Sequence, residues 1–493
     1  MNANTFDIAP RLFLPRWLPS DQLQGGLTKA DQRDVPSVIS DTFDIHQKDW
    51  ITEKSLSSAE ALVAYAISTN RPLESSLRRA ALFIIDRSPN SLIAKQAREI
   101  IGGSSKLDTD PNVFKMLAKA RRIVRRYPDS SLIWSDLAYY HCLTGNRESA
   151  RISAMTAEKV AIGTPSETVP IARCMVHLDD PEFGLRTLRK TLKSHLSPIA
   201  IGSEMAICQI IGIPSKYSRD ANRLAASSNL SPQDEALIKA AVATDLVISG
   251  SERKAKKLLA GGTLIPDENT LAQLVWLSDR LGLEIDPSSS GVDKAYEAIG
   301  RAAYQDRDYK ACIKATELWS EFQPFSVTAI SFGSYVAGFL IADHERSLKL
   351  LERGQVVGQT SFSIWNNSAF DYAKLDRLPE ASKALQHAAK NADSEHDRNI
   401  LSATRGLIMI RSGEVSAGEE TYRTAIRGFM SKRDLRSASI ASVMCAEELA
   451  RLGRLEAITL IDEANSLASE GNHVRVLEAI HGIRKKALKG FGL

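Results

Sequence analysis

The chain has 493 residues, 43% of them apolar but only 6% aromatic, and a formal net charge of +4 at pH 7. No uncharged apolar run approaches the ~20 residues a membrane span needs, and so small a net charge does not by itself require a polyanionic partner. The five cysteines are odd in number and scattered, so they are expected as reduced thiols of a cytoplasmic protein and not as a disulfide framework.

The first 55 residues stand apart. They carry Pro10, Pro15, Pro19 and Pro36 and lack helical periodicity. Within them, RLFLPRWLPSDQ strings Leu12, Phe13, Leu14, Trp17 and Leu18 along a proline-set backbone. We read residues 1–55 as an extended arm that folds back on its own chain or docks in a partner, with Phe13 and Trp17 as its contact residues. No leader peptide is expected, because Pro and Arg interrupt the apolar run.

From residue 56 the pattern turns helical, beginning with SSAEALVAYAISTN and SLRRAALFIIDRSPN. Residues 56–284 read as degenerate helical hairpins. The best of them starts at Trp134, with Ala138 and His141 on the same face, Gly145 in the turn, and Ala150, Ala154 and Ala157 beyond it. LEIDPSSSGVD, residues 283–293, breaks the pattern with Pro287 and Gly291, and better-formed hairpins fill 285–493.

Tyr296, Gly300 and Ala303 are followed by Cys312, Thr316 and Trp319, and Pro324 ends the helix. Trp365, Ala369 and Tyr372 share a face. Asp376 and Pro379 then break the helix, Pro379 suiting the first turn of the next, and Ala381, Leu385 and Ala388 follow. Ser402, Gly406 and Met409 precede Gly413 in a turn, then Gly418, Tyr422 and Ala425. Small residues at these positions let two helices approach closely, and aromatics fill the groove above them. NHVRVLEAIHGIRKKALKGFGL reads as a terminal capping helix with a basic tail.

A hairpin recurring at roughly 34 residues, with small residues and turn glycines in register, resembles the tetratricopeptide repeat. The resemblance covers residues 56–490, although His141 and Ala303 stand where the family has an aromatic. It implies an all-α fold, a right-handed α-α superhelix of roughly ten hairpins, with no strand expected. It also implies that first-helix residues between the packed positions line a concave side. These are Tyr139 in one hairpin, Lys294, Arg301 and Tyr304 in another, and Asn366, Phe370 and Lys374 in a third. Amide, guanidinium and aromatic groups there suit an extended peptide. The expected function is a non-enzymatic adaptor or scaffold that binds a partner protein through this groove or the arm. The two-carboxylate clamp that some family members use for chaperone tails is not reproduced.

Chemistry is otherwise sparse. IIGGSSK lacks the spacing of a phosphate loop, and FGSYVAG only superficially resembles a nucleophile elbow. His141, Cys142, Cys174 and His177 have spacings at which ligands can meet, but buried thiols and hydrogen-bonded histidines are the commoner outcome. No catalytic residue, metal ligand or cofactor is assigned. Residues 51–200 hold 22 Lys and Arg against 15 Asp and Glu. Arg121, Arg122, Arg125 and Arg126 in KMLAKARRIVRRYP head the alternative reading, a nucleic-acid-associated scaffold using basic helices of residues 115–257. Few aromatics interleave with these cations, so stacking on single strands is not expected.

Overall fold

The computed structural model describes residues 42–69, 71–89, 91–102, 111–227, 229–260, 264–471 and 473–490. Phe13 and Trp17 lie outside them. Among the described residues there is no strand. The chain divides into two compact units. One takes in the described residues up to Ala302 together with Gln323–Phe325, and the other takes in Ala303–Phe322 and the residues from Ser326 on.

In the first unit the helices are α1 (Phe43–Glu53), α2 (Leu56–Ser68), α3 (Ser75–Arg87), α4 (Leu92–Ile101), α5 (Pro111–Arg126), α6 (Ser131–Leu143), α7 (Arg147–Val160), α8 (Pro165–His177), α9 (Pro181–Leu192), α10 (Pro198–Ile211), α11 (Ser218–Ala225), α12 (Pro232–Ile248), α13 (Glu252–Leu259) and α14 (Glu268–Leu281). The division falls within α15 (Tyr296–Gln305). The second unit holds α16 (Tyr309–Phe322), α17 (Val327–Tyr335), α18 (His344–Val357), α19 (Phe362–Lys374), α20 (Leu378–Lys390), α21 (Glu395–Arg411), α22 (Val415–Ser431), α23 (Leu435–Arg451), α24 (Glu456–Glu470) and α25 (Val474–Gly490). Helix α17 runs directly into a π-helical turn, Val336–Leu340.

Consecutive helices pair as hairpins. In the first unit α6/α7, α8/α9 and α12/α13 do so, and α6, α8, α10, α12 and α14 touch in succession. In the second, α17/α18, α19/α20, α21/α22 and α23/α24 pair, and α17, α19, α21, α23 and α25 touch in succession. Each hairpin therefore packs on its neighbour through its first helix.

The sequence sets these crossings locally. Ala138, Ala150 and Ala157 are fully buried, as are Ala369, Ala381 and Ala388. Where α21 crosses α22 the backbones nearly meet. A Cβ on Gly418 would stand 2.7 Å from the Gly406 carbonyl oxygen, and one on Gly406 2.8 Å from that of Gly418. The Tyr422 ring fills the space beside them.

The turns repeat too. Gly145, Asp179, Ala342, Gly413 and Arg433 all take positive φ, only two of them being glycine. Asn146, Asp180, Asp343 and Asp434 follow four of these and accept a hydrogen bond from the backbone amide three residues on. The aromatics that open two hairpins behave alike. Trp134 Nε1 donates to the Pro128 carbonyl at 2.7 Å, and Trp365 Nε1 donates to that of Gln359 at 2.8 Å. Each indole thereby ties its helix to the loop before it.

Candidate functional site

In the second unit, α17 with its π-helical turn, α19, α21 and α23 surround a cavity of about 200 Å³. Its walls include Phe339, Phe370, Ile400, Ile440 and Met444. Tyr335 and Phe339 stack at 5.3 Å with their planes 18° apart.

Polar side chains line the cavity too, His396, Asp397 and Arg436 among them. The Asn366 side chain lines the cavity, and its Oδ1 accepts from Thr404 Oγ1 at 2.9 Å. Among the described residues its Nδ2 has no partner, which leaves a donor available. Beside it, Asn367 donates through Nδ2 to Ser334 Oγ at 3.1 Å.

The π-helical turn brings Gly338 against Asp371. A Cβ there would stand 2.5 Å from Asp371 Oδ1, so only glycine fits. Asp371 is buried and bonded to His344 Nδ1 at 2.8 Å and to the Ser347 hydroxyl. Burial pushes its carboxyl up, and these two partners oppose that shift.

Phe339, Phe370 and Met444 are also walls of a second cavity, of about 210 Å³, bordered on its other side by α25 residues such as Ile483. One end of this region is clamped by charge. Glu448 on α23 accepts from Lys374 of α19 at 2.7 Å, from Arg411 of α21 at 2.9 Å, and from Arg451 at 3.1 Å. Its side chain is fully buried. Burial alone raises its pKa, but Lys374 and Arg411 outweigh that and bring it to about 2.

The residues expected along a concave wall divide sharply. Asn366 and Phe370 line the cavity, and Lys374 borders the second one. Lys374 is not open to an acidic ligand, because its ammonium serves Glu447 and Glu448. Tyr139 is buried under Phe325, with ring centroids 5.5 Å apart. Tyr304 is buried against Phe332 at 5.3 Å. Arg301 is buried in an ion pair with Glu297 at 2.8 Å. Lys294 sits in the loop before α15, at φ 56° and exposed, not on the helix.

The basic cluster is partly internal as well. Arg121 is buried on Glu60 and donates to the Ser57 carbonyl, and Arg125 pairs with Asp49 and Glu53. Arg126 is exposed, with its guanidinium 5.9 Å from the Tyr127 ring centre, and Arg122 is half-buried.

First helices stacked side by side, joined through short turns to second helices, decide the architecture. It is tetratricopeptide-like. No protein-family model matches the chain, and no curated protein matches it. Solved structures that the chain matches include yeast Tom70, at 11% identity and TM-score 0.33, covering 88% of this chain and 96% of that one. The Cut9–Hcn1 hetero-tetramer of the APC/C matches at 11% identity and TM-score 0.40, covering 90% and 92%. The human IFIT1 dimer with PPP-AAAA matches at 15% and 0.33, covering 88% and 96%. Likeness at this level says nothing about what this chain binds.

Within this tetratricopeptide-like array, the sequence reading missed Tyr335, Phe339 and the π-helical turn. The signal was FGSYVAGFL, where two glycines interrupt an apolar helix. Among the described residues no group of three or more His, Cys, Asp or Glu is placed to hold a metal ion. Nor is any helix long and apolar enough to cross a membrane.

Proposed function

We propose that the protein is a non-enzymatic adaptor whose second unit holds an extended peptide segment of a partner protein between α17, α19, α21 and α23. The observation that carries this reading is the Asn366 amide. Thr404 fixes its oxygen, so its NH₂ group is presented to an aromatic cavity as a preset donor for a peptide carbonyl. The cavity's size supports a peptide over a cofactor. At about 200 Å³ it falls below the ~300–1,000 Å³ usual for small-molecule sites, and it suits a bulky apolar side chain. The peptide therefore carries an aromatic or large aliphatic anchor flanked by backbone that Asn366 reads. The nucleic-acid reading is not favoured, because Arg121 and Arg125 already serve carboxylates.

Selection from a random peptide library against the full chain tests this. Bound peptides are expected to share an apolar anchor. Asn366→Asp keeps an acceptor for Thr404 but replaces the free donor, and it should weaken binding about tenfold, equivalent to ~1.4 kcal/mol. Ala403→Trp, which fills the cavity, should abolish binding with the helical signal unchanged. Selected peptides whose affinity neither variant alters would place the binding surface elsewhere.

A further inference from the structure

The second chamber, of about 210 Å³, has no role in holding the anchor. The chain enters its wall by a sharp local path. The π-helical turn ends at Leu340, Ala342 takes a positive φ of 56°, and His344 follows as the first residue of α18. This puts the His344 ring in the chamber lining, with its Nδ1 2.8 Å from Asp371 Oδ1. A carboxylate only accepts hydrogen bonds, so Nδ1 carries the proton. Among the described residues Nε2 has no partner, and the neutral ring therefore offers an acceptor.

Two carboxylates line the same chamber. Glu447 comes from α23 and Glu478 from α25, and both side chains are half-buried. Glu447 Oε2 accepts from Lys374, and among the described residues its Oε1 has no partner. Glu478 Oε2 accepts from the Tyr309 hydroxyl at 3.3 Å, and the solvent-exposed Arg307 pairs with Oε1. Lys374 is the one lysine or arginine in the described lining, and Glu447 and Glu448 share its ammonium. Much of the remaining wall is apolar, from Phe339, Met444 and Ile483 among others.

We propose that this chamber takes a lysine or arginine side chain of the same partner segment, close in sequence to the residue that fills the first chamber. The proposal rests on the peptide-groove reading above. Long basic side chains join an apolar stem to a cationic head. The stem packs on Phe339, Met444 and Ile483, and the head meets the carboxylates of Glu447 and Glu478. Because Phe339, Phe370 and Met444 line both chambers, one layer of side chains separates the two guest residues. An acidic side chain is rejected. It would meet two carboxylates and an imidazole lone pair, with the Lys374 ammonium already paired.

The test uses the unsubstituted full chain and labelled synthetic peptides, each with one phenylalanine anchor. Arginine, citrulline or glutamate is placed in turn at each position near the anchor. At one position arginine is expected to bind about fivefold tighter than citrulline, the gain of a half-exposed ion pair, with glutamate the weakest of the three. Added salt should shrink that preference. In the Glu447→Gln, Glu478→Gln double variant, arginine and citrulline should approach equality, with citrulline binding unchanged. Equal affinities for arginine and citrulline on the unsubstituted chain overturn the inference, whatever the variant does. If those peptides still lose binding with Ala403→Trp, the first chamber holds its anchor and only the basic side chain falls. Binding by no peptide, or binding that Ala403→Trp leaves intact, overturns the groove reading and this inference with it.

Discussion

At the scale of single residues, burial separates expectations that spacing could not. Asn366 and Phe370 reach the cavity because their own helix commits Ala369 to packing, which leaves the adjacent stripe facing it. Tyr139 and Tyr304 have the same local register. They are covered by Phe325 and Phe332, and such long-range cover leaves no trace in periodicity. Arg301 was a different case. Glu297 stands four residues before it, and opposite charges at that spacing pair on a helix. Glu448 ties buried charge directly to stability. Its folded pKa of about 2 is depressed, so its contribution is complete above the unfolded value of ~4.3 and disappears as pH falls toward 2. Glu448→Gln leaves Lys374 and Arg411 short of a buried counter-charge and should cost about 3 kcal/mol at pH 7. Chemical denaturation of the variant and parent at pH 7 and pH 3 checks this. The gap should shrink at the lower pH, and equal stability at pH 7 would remove the clamp from the account.

At the scale of elements, the hairpin signature was legible because its determinants are local. These are a small residue at the crossing, a left-handed turn residue, and a cap beside it. What spacing did not disclose is how close each crossing is. Two glycines make opposite predictions on that basis. Replacing a helical glycine by alanine gains about 0.5–1 kcal/mol from backbone entropy alone. At Gly482 on α25 nothing lies within 4 Å of the added carbon, so Gly482→Ala should stabilise by about that amount. At Gly418 the added carbon meets backbone at 2.7 Å, and backbone cannot swing aside as a side chain can. Overpacking of this kind costs about 1–3 kcal/mol and wins, so Gly418→Ala should lower the melting temperature. Thermal unfolding of the two variants side by side decides the matter, and a rise for both would mean that α21 and α22 cross more loosely than described. The π-helical turn belongs to this scale as well. Sequence periodicity assumes one winding throughout, so a local underwinding that seats Gly338 on Asp371 falls outside what it reads.

At the scale of the molecule, acid sensitivity follows from a substitution visible in the sequence. His141 stands where the tetratricopeptide pattern has an aromatic, and it is buried with Nδ1 unpartnered. Burial, and then Arg121 nearby, hold its pKa well below the ordinary histidine value. The folded chain therefore leaves this ring neutral at a pH where the unfolded chain protonates it. The unfolded state binds the extra proton, so stability rises with pH and is lost below ~6.5, by up to about 2 kcal/mol at pH 5. His141→Phe restores the aromatic and should flatten that acid limb while leaving the neutral-pH melting temperature near the parent's. An unchanged acid limb would assign it to other groups. The wall between the two cavities of the second unit has its own consequence. Phe339, Phe370 and Met444 have one face in each chamber, so any movement of this partition that enlarges one chamber does so at the other's expense. A ligand that shifts this partition from one chamber would change affinity in the other, and by linkage that coupling free energy is equal in both directions.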